Sequence, residues 1–162
     1  MAKSTGHVIC QELNVSLPAH VQIGNLLYRY AELIDDGQLA EAAALFRHAR
    51  IQTGASGSVV DAEGLLQLWQ SIIRIYPCGT PRTRHMVTNP IMQIDEMAGV
   101  ASCRSCYTVL QATEDSPLQP IMTGRYRDEF ACVDGVWRFT YRDYTQVGLI
   151  GDLSRHLQNF TL

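Results

Sequence analysis

The feature that most constrains the fold is a change in hydrophobic periodicity near Arg82. Beyond this point apolar and polar residues alternate, which is typical of β-strands with one buried face. Four such runs span residues 83–95, 99–112, 118–133 and 136–144. Asp134-Gly135 between the last two runs predicts a tight hairpin turn. Pro90 in the first run predicts an edge position or a bulge, because proline lacks a backbone N–H.

Before that point the apolar residues recur at helical spacing, most clearly near the start of the chain. They form one wide stripe at Ile23, Leu26, Leu27, Tyr30, Leu33 and Ile34. The segment is predicted as a helix over residues 16–34 that begins near Ser16 and ends at Asp35-Asp36-Gly37. Glycine at position 37 favours this end, because it adopts the left-handed conformation that closes many helices.

Two further helices and a short strand follow in the prediction. The second helix covers residues 39–46, the strand 49–53, and the third helix 58–76, with Ser58 as its N-cap. Three helices ahead of an antiparallel meander predict an α+β domain, in which a curved sheet is closed by N-terminal helices into a cone-shaped roll. Such a roll encloses a cavity of the kind that holds small molecules. We expect a flexible arm over residues 1–15, a single domain over 16–162, and one helical turn over 152–157.

Composition narrows the classes of function. The chain has 162 residues, of which 46% are hydrophobic and 18% charged, with a formal net charge of -3. This balance predicts one globular domain and argues against nucleic acid or a membrane as a partner. No apolar run reaches the roughly 20 residues of a membrane span, and the N-terminal segment lacks the apolar core of a signal peptide. The expected compartment is therefore the cytoplasm.

The five cysteines are odd in number and irregular in spacing, which favours reduced thiols over a disulfide framework. Cys103 and Cys106 form a C-x-x-C motif, so a zinc or redox role is the alternative to simple packing. The motif falls in a predicted strand, where residues three apart point to opposite faces. No metal site is therefore predicted.

Asp35 and His85 are the candidate catalytic pair. A carboxylate at a helix C-terminus meets the negative end of the helix dipole, and Asp35 follows the apolar Ile34, so we predict that it points inward and needs a donor. Alternation places His85 and Val87 on the inner face of the first long strand. The carboxylate would fix the imidazole tautomer, so that the second ring nitrogen can remove a proton from a substrate carbon or activate a water. The alternatives are a solvated helix-end carboxylate and a structural histidine.

Tyr30 is the third candidate catalytic residue, as a hydroxyl donor to a substrate carbonyl, with a core tyrosine as the alternative. Arg104 and Arg142 are isolated strand arginines expected at the surface; facing inward, either would pair with a carboxylate or an anionic leaving group. Tyr126 and Asp128 are predicted to be structural. The candidate substrate-binding side chains, for which core packing is the alternative role, are Tyr28, Trp69, Met86, Met122 and Phe139.

Familiar enzyme motifs are absent from the sequence. It contains no phosphate-binding glycine loop, no dinucleotide fingerprint, no nucleophile elbow and no H-E-x-x-H motif. His20, His48 and His156 are scattered without metal-ligand spacing. The sequence therefore favours a reaction that needs no cofactor.

Five motifs, taken in order, resemble the SnoaL-like branch of the nuclear transport factor 2-like superfamily. They are Y-A-E-L-I-D ending at Asp35, A-L-F ending at Phe46, R-H-M-V-T-N from Arg84, G-R-Y-R-D from Gly124 and D-G-V-W-R-F from Asp134. The resemblance implies a cystatin-like, cone-shaped α+β roll. It also implies a homo-oligomer, a dimer or trimer, that associates through the sheet.

The spacing of Asp35 and His85 is similar to that of the acid–histidine pair in scytalone dehydratase and hexachlorocyclohexane dehydrochlorinase. This implies that His85 is a base oriented by Asp35, and that the protein is a cofactor-independent lyase or isomerase acting on a small apolar cyclic compound. Ile34 stands where scytalone dehydratase has a tyrosine. That enzyme also has a second pocket histidine on a neighbouring strand, whereas the comparable residues 100–110 contain none. Both differences argue against scytalone itself as the substrate. The alternative is a non-catalytic ligand-binding or oligomerisation subunit, similar to the small subunit of ring-hydroxylating dioxygenases.

Overall fold

The computed structural model describes residues 17–54 and 57–159, so the predicted N-terminal arm lies outside the described residues. The helices are α1 (Ala19–Asp35), α2 (Leu39–Ala44) and α3 (Ala62–Ile72). The strands are β1 (Arg50–Gln52), β2 (Val59–Val60), β3 (Thr83–Asp95), β4 (Val100–Thr113), β5 (Ser116–Val133), β6 (Val136–Asp143) and β7 (Val147–Ile150). The predicted α+β class, with N-terminal helices against a curved sheet that does not close on itself, is confirmed.

The sheet is built around the long strands β3 to β6. Its order is β2-β1-β6-β5-β4-β3, and every neighbouring pair is antiparallel except β1 with β6. Strand β5 is longer than β6, which pairs with it only from Arg127 to Val133. The free N-terminal half of β5 pairs instead with β7, at Met122 and Gly124. The strand order leaves β3 at one edge, beside α1.

Helix α1 buries the predicted stripe against the sheet. Ile23, Leu27, Tyr30, Leu33 and Ile34 are buried in a core shared by all three helices and the inner face of the sheet. Fully burying an aliphatic or aromatic side chain contributes about 1.5–3 kcal/mol, so this stripe fixes α1 on the sheet. The helix ends one residue later than predicted, at Asp35, and therefore brings that carboxylate to β3.

The predicted hairpin turn between β5 and β6 and the predicted irregularity at Pro90 in β3 are both confirmed. Asp134 and Gly135 both have positive φ, 54° and 77°, as the two central residues of a tight hairpin require. The ladder of β3 shifts register between Thr88 and Ile91, and Asn89 has a φ of 52°. Pro90 therefore lies in a bulge on an edge strand, where its missing N–H removes no ladder bond.

The third helix begins later and ends earlier than predicted. Asp61, not Ser58, is its N-cap, because the Asp61 carboxylate accepts a hydrogen bond from the Gly64 N–H at 2.9 Å. The residues between them form β2, which pairs with β1. At the other end, Ile73 is extended and forms an isolated bridge with Leu157. The helix therefore stops where the C-terminal segment returns to pack against it.

Replacing Gly37 with alanine is expected to lower the free energy of unfolding by about 2–4 kcal/mol, since backbone strain adds to a clash. Gly37 has a φ of 74°, and a Cβ there would overlap the carbonyl oxygen of Gly79. Gly135→Ala is the matched control: its φ is 77°, but a Cβ would meet no atom within 4 Å. Urea unfolding should give the control a smaller loss of about 1–2 kcal/mol. Equal losses would show that the Gly37–Gly79 contact contributes little.

Candidate functional site

The Asp35 carboxylate is the centre of a buried hydrogen-bond cluster at the end of α1. It is 4% exposed and accepts three hydrogen bonds from β3. Its Oδ1 accepts from Thr83 Oγ1 at 2.8 Å and lies 2.6 Å from His85 Nδ1, while its Oδ2 accepts from the His85 backbone N–H at 2.7 Å. The contact between Asp35 and His85 that the sequence predicted is present; their catalytic role stays a prediction.

The local sequence accounts for this cluster. Thr83 and His85 are two residues apart on β3, so both side chains face inward toward α1. The negative end of the α1 dipole disfavours a carboxylate at Asp35, and the three donors of β3 offset that cost. Thr83 and the His85 backbone are donors that our sequence analysis missed.

The protonation state of the pair follows from its hydrogen bonds. Burial raises the pKa of the Asp35 carboxyl, but the hydrogen bonds and charge of His85 and the bond from Thr83 outweigh it and lower the pKa below its ordinary value. Asp35 is therefore an ionised acceptor at neutral pH, and His85 Nδ1 must carry the proton in their bond. In the neutral imidazole the lone pair is then on Nε2, the nitrogen that a base needs.

A cavity of about 340 Å³ lies between α1, α3, the inner face of the sheet and the C-terminal segment. The His85 ring forms part of its wall, and Asp35 lies behind that ring, outside the cavity lining. Most of the remaining wall is apolar. The polar side chains in the rest of the wall are those of Tyr30, Thr53, Ser58, Tyr107, Tyr126, Tyr144 and His156.

The prediction that Arg142 lies at the surface is wrong. Its side chain is 0% exposed, and its Nε and Nη2 donate to Asp128 Oδ1 and Oδ2 at 2.6 and 2.9 Å. The two residues are directly opposite each other in the β5–β6 register, which makes this bidentate pair possible. Burial works against the charge, but Asp128 more than offsets it and holds the pKa of Arg142 well above its ordinary value. Arg104 is exposed, as expected.

The Arg142 guanidinium anchors an aromatic cluster behind the cavity. Five ring centroids lie 4.3–5.6 Å from its central carbon, those of Tyr30, Phe46, Tyr126, Phe139 and Tyr144. Burial, followed by Tyr126, holds the pKa of Tyr30 well above its ordinary value. The Tyr30 hydroxyl is therefore a hydrogen-bond donor throughout the physiological pH range. The Tyr30 and His85 ring centroids are 6.4 Å apart.

The structure brings some of the predicted site residues together and separates others. Tyr30, Trp69, His85 and Met122 line the cavity. Tyr28 and Met86 are 51% and 47% exposed and flank an outer groove between α1 and β3. Tyr28 lies off the buried stripe of α1, and Met86 follows His85 on β3 and so points to the opposite face. Phe139 is 0% exposed and packs against Phe46 and Phe130. None of these three side chains can contact a molecule in the cavity.

His156 is a cavity residue that our sequence analysis missed. It is 8% exposed and lies in the C-terminal segment, far from His85 in sequence but on the same cavity wall. Burial, followed by the charge of His85, lowers the pKa of His156 to about 4, so its imidazole is neutral at pH 7. The only signal in the sequence was an ionisable residue next to the apolar Leu157 in the predicted terminal turn.

The buried His156 is expected to make the protein less stable in mild acid. The unfolded chain gains a proton at this residue near pH 6.5, whereas the folded chain gains one only near pH 4. This contribution to stability is fully present above pH 6.5 and is lost as the pH falls to 4, by up to about 3 kcal/mol. Urea unfolding at pH 7.0, 5.5 and 4.5 should show a flatter pH dependence for His156→Phe than for the wild type. His48→Phe, at an exposed position, should keep the wild-type pH dependence of the unfolding free energy. The same pH dependence in the wild type and both variants would contradict a lowered pKa at His156.

The cysteine motif offers no metal centre in the described part of the chain. Cys103 is buried and Cys106 half-buried on β4, at positions that face opposite sides of the sheet. Among residues 17–54 and 57–159 there is no group of three or more histidine, cysteine or acidic side chains placed to hold a metal ion. Within the same ranges, none of the helices has the length and apolar character needed to cross a bilayer.

Comparison with known proteins gives a family and a set of similar folds. The family model for the SnoaL-like domain matches residues 15–143. A search of curated protein sequences finds no match. The similar solved structures include a protein of unknown function from Mycobacterium tuberculosis, with 24% identity, a TM-score of 0.64, and coverage of 80% of this chain and 72% of that one.

Two other similar structures come from Novosphingobium aromaticivorans. A proposed scytalone dehydratase is 20% identical, with a TM-score of 0.64 and coverage of 82% of this chain and 86% of that one. The beta subunit of a proposed aromatic-ring-hydroxylating dioxygenase is 19% identical, with a TM-score of 0.63 and coverage of 85% and 95%. At these identities the similarity concerns the fold alone.

Proposed function

The chain belongs to the SnoaL-like domain family, and we propose that it acts as a cofactor-independent lyase or isomerase on a small cyclic compound bound in the cavity. One observation carries the proposal: an imidazole held by an ionised carboxylate borders a cavity of about 340 Å³. Such a base operates best when its tautomer is fixed before the substrate binds. Cavities of about 300–1,000 Å³ are the usual size for small-molecule sites.

In the proposed reaction His85 Nε2 takes a proton from a substrate carbon. Asp35 then faces an imidazolium, whose positive charge its carboxylate stabilises. The electron pair left on carbon moves toward an adjacent carbonyl, and the Tyr30 hydroxyl donates a hydrogen bond to the oxygen that becomes negative. The two rings meet edge to face with centroids 6.4 Å apart, and both residues line the cavity, so one ligand can contact both side chains.

Two outcomes complete the reaction. In an elimination, the electron pair forms a carbon–carbon double bond as a hydroxyl group leaves from the neighbouring carbon, and the imidazolium returns its proton to that group to give water. In an isomerisation, the proton returns to a different carbon. Trp69 and Met122 give the cavity wall apolar surface that suits a ring compound.

The test follows proton removal directly and needs no known product. A panel of cyclic ketones and hydroxyketones is incubated with the protein in D₂O, and ¹H NMR measures the loss of signals from protons next to the carbonyl and the appearance of alkene signals. Exchange or elimination above the rate in buffer and in serum albumin is expected for at least one compound. A panel that shows neither process would contradict the proposal.

A non-catalytic subunit role is the second candidate, and exposed apolar side chains on the strands favour an assembly. Ile91 on β3, Val100 on β4 and Leu149 on β7 are 57%, 50% and 77% exposed, and exposed apolar side chains are groups that a subunit interface would cover. We propose that the chain forms a dimer or trimer through the sheet. Light scattering after gel filtration should give a mass two or three times that of the chain, and a monomer would contradict it. Co-purification with a larger oxygenase subunit, together with no turnover, would favour the subunit role.

A further inference from the structure

The His156 side chain carries a polar atom that the protein leaves without a partner. Its Nδ1 is buried and forms no hydrogen bond with any described residue. The ring nevertheless lies in the wall of the cavity that also contains His85. Of the other four buried polar atoms without a partner among the described residues, those of Arg74, Ser105 and Arg142 belong to side chains outside that cavity wall, and the fourth is the hydroxyl of Tyr144, which also lines it. The imidazole ring that carries this nitrogen therefore borders the space in which we place the ligand.

The backbone around His156 is held in place by hydrogen bonds on both sides of the residue. The His156 carbonyl accepts from the Arg74 N–H at 2.8 Å, and its N–H donates to the Leu153 carbonyl at 2.9 Å. On the two sides, the Gln158 N–H donates to the Ile72 carbonyl at 2.7 Å and the Tyr76 hydroxyl donates to the Arg155 carbonyl at 2.7 Å. The C-terminal segment is thus fixed against the end of α3, and this places His156 at the cavity wall.

A buried nitrogen without a partner destabilises a protein, and native structures normally satisfy such atoms. Among the residues that the structure describes, no carboxylate pairs with His156 as Asp35 pairs with His85, and the pKa of about 4 keeps the His156 ring neutral at pH 7. A neutral imidazole has one N–H donor and one lone-pair acceptor. A hydroxyl group, which both donates and accepts, or a carbonyl oxygen would satisfy it, whereas a hydrocarbon would leave it unpaired.

We propose that His156 binds a hydroxyl or carbonyl oxygen of the ligand, so that the cavity selects oxygenated ring compounds over hydrocarbons of the same shape. This inference rests on the proposed function in one respect: the proposed function places the ligand in this cavity. His156 then fixes one end of the ligand while a carbon at another position reaches His85. This narrows the expected substrate from an apolar ring compound to one with an oxygen substituent.

The test compares probes that differ only in oxygen: 2-naphthol with naphthalene, and 2-tetralone with tetralin. Calorimetric or fluorescence titration of the wild type should show tighter binding of the oxygenated member of at least one pair. His156→Phe should weaken binding of that member about tenfold and leave the hydrocarbon within about twofold, since only the polar contact is lost. Tyr107→Phe is the matched control, because it removes a hydroxyl from the same wall that is not among the buried atoms without a partner. An unchanged preference in His156→Phe, or no binding of either oxygenated probe to the wild type, would overturn the proposal.

A second measurement does not depend on how the variants fold. In wild-type protein with ¹⁵N-labelled histidine, the bound oxygenated probe should shift the His156 ring nitrogen signals, and its hydrocarbon partner should not. Unshifted signals in a protein that binds the oxygenated probe would also overturn the proposal. The wild-type exchange assay separates the two hypotheses: a wild-type protein that prefers the oxygenated probes, and keeps that preference in His85→Gln, but exchanges protons in none of the ketones would overturn the enzymatic role and leave the binding role of His156 in place.

Discussion

Replacing His85 with glutamine is expected to lower the rate of proton exchange or elimination by about 10²–10⁴-fold, the usual contribution of a positioned general base. Glutamine keeps a polar side chain in the cavity wall but has no group that takes a proton from carbon. The variant should still fold, since Thr83 and the backbone N–H of residue 85 continue to donate to Asp35. The measurement is the NMR exchange assay with the most reactive compound of the ketone panel.

Asp35→Asn tests the same pair from its other side. The amide presents an N–H as well as an oxygen to His85 Nδ1, which favours the tautomer whose proton is on Nε2, so we expect a loss of at least about 10²-fold. Circular dichroism and urea unfolding are the measurements that check whether each variant folds. His48→Gln, which removes an exposed histidine at a distance from the cavity, is the activity control. Full turnover by His85→Gln would eliminate His85 as the base.

Breaking the ion pair between Arg142 and Asp128 is expected to cost about 3–5 kcal/mol of unfolding free energy. In Arg142→Met the apolar side chain fills much of the space, but the Asp128 carboxylate remains buried without a counter-charge. Urea unfolding measures the loss. Arg142→Lys should recover only part of it, because an ammonium group cannot form the bidentate contact.

Two comparisons make this prediction specific. Arg29→Met removes an arginine from the exposed pair with Glu32, where we expect a change below about 1 kcal/mol. The double variant Arg142→Met with Asp128→Leu removes both buried charges and should be more stable than Arg142→Met alone. A loss in Arg142→Met no greater than that of Arg29→Met would show that the pair does not anchor the cluster behind the cavity.

Local patterns in the sequence were sufficient for most of the fold. The stripe on α1 and the alternation in β3 to β6 each arise from neighbours within one element, so periodicity predicted them. Asp134-Gly135 and Gly37 specify turns through their own φ preferences. The predicted start of α3 was wrong because Ser58 and Asp61 are both possible N-caps. The pairing of Val59 and Val60 with β1 leaves Asp61 as the N-cap. Strand β7 was missed because all four of its residues are exposed and show no alternation.

The candidate site was predictable where one helix end and one strand face specify it, and unpredictable elsewhere. Asp35 and His85 are such a case, since the reasons for each to face inward are local. Arg142 and His156 are buried for reasons that no local pattern contains. Arg142 faces inward because the β5–β6 register sets it opposite Asp128, and His156 because the C-terminal segment returns to the end of α3.

By itself, the sequence determined the order and type of the main elements, because periodicity and turn chemistry act over a few residues. Tertiary structure alone decided that Arg142 and His156 leave water, because the burial of these two groups depends on partners far away in the chain.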